Sequence, residues 1–194
     1  MKIKGAMENK LATLIESDSK LETFIATDKY LEFINQAPPK QWVKDHPMAS
    51  GVKYLPIDKV ELTLTKVFQE WYVEVLSASQ LLNSIAITVR LFYKHPLSGW
   101  QHQDGVGAAP IQVDRGKNAS DLGAIKNNAI MLALPAAKSY AIKDAAENIG
   151  QIFGGNINRK DTLGFTPSYG TEDIKNEIAK KKAEIADKLL KGKK

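Results

Sequence analysis

The amino-acid sequence predicts an α+β fold: a three-stranded antiparallel meander packed against a long helix. An N-terminal helical segment precedes this core, and a Lys-rich C-terminal helix or tail follows it. Three observations predict it. Residues 84–94 place Ile85, Ile87, Val89, Leu91 and Tyr93 at every second position, the pattern of a strand with one buried face. His-Pro-Leu-Ser-Gly at 95–99 supplies a turn between that strand and the next. Ala137, Ala141, Ala145 and Ile149 recur every four residues as one narrow ridge along a helix. A ridge of alanines lets a helix lie close against a sheet or another helix.

Taken in order, residues 7–35 have helical spacing, with Leu11, Leu14 and Ile15, then Leu21, Phe24 and Ile25, then Tyr30, Leu31, Phe33 and Ile34. Ser17, Asp18 and Ser19 interrupt the run and can cap its second piece. Ala-Pro-Pro-Lys at 37–40 is a stiff connector. A short strand is expected around Val52–Leu55, then a helix capped by Asp58 with Val60, Leu64 and Val67–Phe68 on one face. Strands follow over 71–79, 84–94 and 100–109. Gly105 and Gly107 weaken the third, which predicts a bulge or a close approach to the backbone by something else. Residues 112–120 are a polar loop, and Ser120 or Asp121 caps a helix to about Leu132. Leu134 precedes a proline and is biased away from helix, so a break is expected there, with Pro135 opening the long helix. Gly150, Gly154 and Gly155 stop that helix. The expected organisation is a helical segment over 1–36, a core domain over 37–160, and a linker and basic helical tail over 161–194.

Composition narrows the function. No stretch is apolar for long enough to span a bilayer, and the first residues lack the apolar core of a signal peptide, so no membrane partner is expected. The absence of cysteine excludes disulfides and thiolate chemistry and fits a cytoplasmic setting. His46, His95 and His102 are scattered without metal-ligand spacing. The net charge of +5 is uneven. Residues 115–160 carry seven Lys/Arg against three Asp/Glu, and residues 171–194 carry eight against five. A basic excess confined to two segments points to a polyanion.

No catalytic constellation stands out. A P-loop is missing, and Asp104 and Asp114 near Lys117 lack the Glu/Asp-x-Lys element of a metal-dependent nuclease. Arg115, Lys117, Lys126, Lys138 and Lys143 have the character of phosphate-contacting cations without a catalytic partner. The expectation is therefore a binding protein, not an enzyme, and one without a cofactor. On a helical wheel Lys138 falls within the Ala/Ile face. There it must snorkel, meet a carboxylate such as Asp104, or face an anionic ligand. Lys143 lies on the polar side, four residues before Glu147, as a solvated ion pair or a phosphate contact.

The run Gly51-Val-Lys-Tyr-Leu-Pro-Ile-Asp-Lys-Val, followed by Leu64, Phe68 and Trp71, resembles the opening of the Rad fifty-two family of single-strand annealing proteins. The likeness continues through Trp100-Gln-His-Gln-Asp-Gly-Val-Gly-Ala and ends in Ala141-Ile-Lys-Asp-Ala-Ala-Glu-Asn-Ile-Gly and Phe153-Gly154. Lys138-Ser-Tyr-Ala-Ile-Lys-Asp-Ala and Asn158-Arg159-Lys160 are similar to the family's phage-encoded members. The resemblance spans about residues 40–160. It implies a cytoplasmic, ATP-independent protein of homologous recombination and DNA repair. Such a protein forms homo-oligomeric rings or helices, lays single-stranded DNA in a basic groove and anneals complementary strands. A phage exonuclease or a host single-strand-binding protein would be its further partners. Lys143 matches the first basic position of the family's groove helix. The next two positions are Asp144 and Glu147 here, so Lys126, Lys138 and the Arg115–Lys117 loop would have to supply the charge. Lys44 or His46 stands near the basic residue ahead of the strand that carries Lys53. The alternative is a structural or adaptor oligomer that binds protein and attracts nucleic acid only nonspecifically.

Overall fold

The computed structural model describes residues 18–46, 50–118 and 121–160, with Asn176, Ala179, Lys180 and Ala183, which are helical. The expected helix before Asp18, Ser120 as a cap, the 161–170 linker and most of the basic tail lie outside the described residues. The chain divides into two units, one of the terminal segments and one of Ile34–Thr162. Asp18–Ile34 is a helix, α1.

The second unit holds, in order, β1 (Lys44–Asp45), β2 (Lys53–Tyr54), α2 (Ile57–Phe68), β3 (Trp71–Leu81), β4 (Ser84–His95), β5 (Gly99–Pro110) and α3 (Ala129–Glu147). Single 3-10 turns lie at Lys40–Trp42, Leu122–Ala124 and Gln151–Phe153. β1 and β2 form a small antiparallel ribbon, and β3-β4-β5 form the antiparallel meander. The α+β class and the meander packed on a long helix are as expected from the alternation in 84–94.

β4 is the central strand, and its inward residues Ile85, Ile87, Val89, Leu91 and Tyr93 are all buried. α2 adds Val60, Leu64 and Phe68, spaced to share one face. Fully burying a side chain such as Leu64 stabilises the fold by roughly 1.5–3 kcal/mol. Phe68 joins the layers, its ring 4.4 Å from that of Tyr93 and 6.2 Å from that of Phe153. At the β4–β5 turn, the Nδ1 of His95 accepts hydrogen bonds from the backbone N–H groups of Leu97 (3.1 Å) and Ser98 (3.2 Å). Burial lowers the pKa of this imidazole, which favours the neutral form that can accept.

α3 lies across β4 and β5 on its alanines. Ala129, Ala133, Ala137, Ala141 and Ala145 are buried. The glycines of β5 stand directly beneath them. A Cβ on Gly105 would fall 2.3 Å from the carbonyl oxygen of Ala141 and 2.4 Å from the nitrogen of Ala145. One on Gly107 would fall 2.3 Å from both the Ala137 oxygen and the Ala141 nitrogen. The β4–β5 register runs unbroken from Ser84–Pro110 to His95–Gly99, so these glycines mark a close approach and not a bulge. The register shift lies instead in β3, between Val75 and Ser77. Asp144 adds a polar tie, its Oδ2 accepting the backbone N–H of Val106 at 2.9 Å.

Several expectations are corrected. The long helix does not begin at Pro135; it begins at Ala129 and runs through the proline. The hydrogen bond missing there is the one to Met131, whose residue is 76% exposed, so the freed carbonyl sits on the helix's open flank. No helix runs from 121 to 132. Asp121 accepts the N–H of Gly123 at 3.0 Å and caps only a 3-10 turn. Asp58 is not a cap either, for Pro56 holds that position and Asp58 pairs with Lys59 at 2.9 Å. Lys138 is exposed and not on a buried face. The wheel angle is right, but that flank of α3 is covered only further along, at Ile142 and Ala146. Asp104 is not its partner, since Arg90 holds both carboxylate oxygens at 2.7 and 2.8 Å.

The β3–β4 turn contains Leu82 at φ 53°, with 93% of its surface exposed. A left-handed conformation costs an ordinary L-residue roughly 1–2 kcal/mol, and Asn tolerates it. Leu82→Asn is expected to stabilise the fold by about 0.5–1 kcal/mol. A urea melt with an unchanged or lower midpoint would contradict this.

Candidate nucleic-acid interface

The β1–β2 ribbon, one side of α3 and the turn after Phe153 enclose a cleft of about 440 Å³. Each wall is placed by local sequence. The ribbon pairs Lys44 with Tyr54 and Asp45 with Lys53, and brings His46 and Tyr54 into edge-to-face contact at 5.8 Å. Asn158 clamps the ribbon to the turn. Its Oδ1 accepts the backbone N–H of Lys53 and its Nδ2 donates to the Lys53 carbonyl, both at 2.7 Å. A side-chain amide that satisfies both groups of one residue acts as a further strand partner. On α3, Tyr140, Lys143 and Glu147 are spaced three and four apart and line the same side.

Lys143 is half-buried, and its ammonium lies 5.1 Å from the ring centre of Tyr54 and 4.8 Å from that of Tyr140. Burial pulls its pKa below the usual lysine range, partly offset by Glu147. Glu147 is exposed as a residue, yet its Oε1 lies within 3.7 Å of where a Cβ on Gly154 would stand. Desolvation, then the charge of Asp144, raise its pKa above the ordinary carboxylate range, and Lys143 opposes this. Two rings around one ammonium therefore replace the solvated Lys143–Glu147 pair among the expected alternatives.

Of the ten residues singled out from the sequence, His46, Lys53, Lys143 and Arg159 line this one cleft. Lys44 is exposed and pairs across the ribbon with the lining Tyr54, and Lys160 is exposed next to the lining Arg159. Arg115, Lys117, Lys126 and Lys138 are exposed and do not line it. The first three belong to a separate loop, closed by the Val113–Ile125 bridge and by the Lys126 N–H bonding to the Gln112 carbonyl. Tyr54, Tyr140 and Asn158 were missed. A tyrosine three residues before Lys143 on the same helix face was the available signal; Asn158 had none, because its partner is more than a hundred positions away.

The far side of the meander contrasts with the cleft. Tyr72 stacks on Phe92 at 4.7 Å, with Trp100 and His102 alongside. Its cations are matched by acids. Arg90 is bidentate to Asp104, lowering that carboxyl's pKa, and Lys94 pairs with Glu70.

Among the described residues no three His, Cys, Asp or Glu gather to hold a metal ion, and no helix is long and apolar enough to cross a membrane. No family model matches this chain, and no curated protein matches it.

Proposed function

We propose that the protein binds single-stranded DNA through this cleft and anneals complementary strands without ATP, as a cytoplasmic homo-oligomer in phage-type homologous recombination. One observation carries the reading. Lys53, from the ribbon, and Lys143 and Arg159, from the long helix and the turn beyond it, converge on one open cleft, walled by two tyrosines and lined by one carboxylate, Glu147. Cations with neighbouring aromatic rings suit single strands, whose phosphates need charge and whose bases need flat partners. The order of motifs, which resembles that of single-strand annealing proteins, supports the annealing step. Among the described residues the β3 and β5 edges of the meander have no strand partner, which supports self-association.

A protein-binding adaptor is the second reading, favoured by the aromatic far side of the meander, where paired charges leave little attraction for phosphate. A salt titration of the full-length protein separates the two. With the cleft reading, log affinity for a labelled single strand falls linearly with log salt, with a slope of about −2 if three phosphates are held at roughly 0.7 each. A complementary strand then anneals faster in the protein's presence. A flat salt dependence with no annealing supports the adaptor.

A further inference from the structure

We propose that the cleft is a one-nucleotide pocket. A single base leaves the strand and stacks against Tyr140 and Tyr54, at the position the Lys143 ammonium holds, while Lys53 and Arg159 take the adjoining phosphates. This rests on the single-strand reading above and adds what the cleft reads: a base, and not the backbone alone.

Size is the first support. A cleft of about 440 Å³ lies near the lower end of small-ligand sites, which run from roughly 300 to 1,000 Å³, and has room for one base with its phosphate. The second is the pair of rings. One ammonium lies within cation–π reach of both Tyr54 and Tyr140, so both rings border a single position. A base has a flat π-face and meets such rings better than a lysine does, whatever its identity. A displaced Lys143 has a better partner in phosphate than in a ring, since burial already disfavours its charge where it lies.

Preorganisation is the third. Tyr140 adjoins Ala141, whose backbone nitrogen lies over Gly107, and the Tyr140 Cβ is 2.8 Å from where a Gly107 Cβ would stand. Tyr54 is held from the other side, because Asn158 fixes its neighbour Lys53 through both backbone groups. Walls set before binding lose little freedom when a base enters.

The test uses full-length protein and two labelled strands of equal length, one of thymidines and one of abasic deoxyribose phosphates. The native protein is expected to bind the base-bearing strand about tenfold more tightly. Tyr140→Leu, at a half-exposed residue, should bring the affinity for the base-bearing strand down towards that for the abasic strand, erasing the preference. A strand containing 2-aminopurine should lose fluorescence on binding the native protein, a stacking signature that needs no variant. Equal affinity for the two strands, or undiminished fluorescence, overturns the pocket and leaves strand binding intact. Failure of both strands to bind overturns the single-strand reading as well.

Discussion

Gly105→Ala lowers the stability of the fold by roughly 3 kcal/mol, at the upper end of what overpacking costs, and Gly107→Ala by a similar amount. The added methyl does not meet a flexible side chain that can swing away. It meets helix backbone, the Ala141 oxygen at 2.3 Å and the Ala145 nitrogen at 2.4 Å. Relief requires lifting α3 from β5, which also strains the Val106–Asp144 hydrogen bond of 2.9 Å. At about 2–4 °C per kcal/mol for a chain of this size, Tm falls by roughly 10 °C. Gly123→Ala is the control, since its Cβ would meet only the Asp121 Oδ1, at 3.3 Å, and it stays within about 0.5 kcal/mol. A Gly105→Ala protein that melts with the native one would refute the backbone-to-backbone seat of the helix.

The second large effect is on binding. The triple change Lys53→Ala, Lys143→Ala and Arg159→Ala is expected to weaken single-strand binding about a hundredfold and to flatten the salt slope by roughly 2, at about 0.7 for each phosphate no longer held. Lys53 and Arg159 are exposed, so these two truncations leave the core untouched. Arg115→Ala with Lys117→Ala, on the separate loop, should change affinity far less. Fluorescence anisotropy across a salt series checks both. A triple variant that keeps its slope would remove the cleft from DNA binding. Native affinity should also fall with rising pH earlier than for ordinary lysines. The lowered pKa of Lys143 means that its proton, and the attraction for phosphate, leaves at a lower pH.

The parts legible in the sequence were those decided by local periodicity. Alternation from Ile85 to Tyr93 defined the central strand, and the four-residue recurrence of Ala137, Ala141 and Ala145 defined the face that meets the sheet. Pro135 misled because the rule that places proline at a helix start is statistical, whereas the cost of one inside depends on where the orphaned carbonyl falls. Lys138 misled because a wheel gives an angle around the axis and nothing about how far a neighbour extends along it. Of the ribbon's two-residue strands, Lys53–Tyr54 falls where a short strand was expected around Val52–Leu55, whereas Lys44–Asp45 was too short to leave any period. The four predicted residues that line the cleft could be named singly but not grouped, since only tertiary packing brings His46, Lys53, Lys143 and Arg159 together.

The ion pairs on the far side of the meander bear on rates of encounter. Arg90 with Asp104 and Lys94 with Glu70 cancel at short range, and beyond a screening length of about 8 Å at physiological salt such pairs exert little pull. The cleft's cations have one carboxylate among them, so their field reaches further. If the cleft binds single strands as proposed, a polyanion diffusing past is drawn towards one side of the sheet and passes the other without being slowed. Productive collisions become orientation-selected before any contact forms, and the capture rate, more than the residence time, carries the dependence on ionic strength.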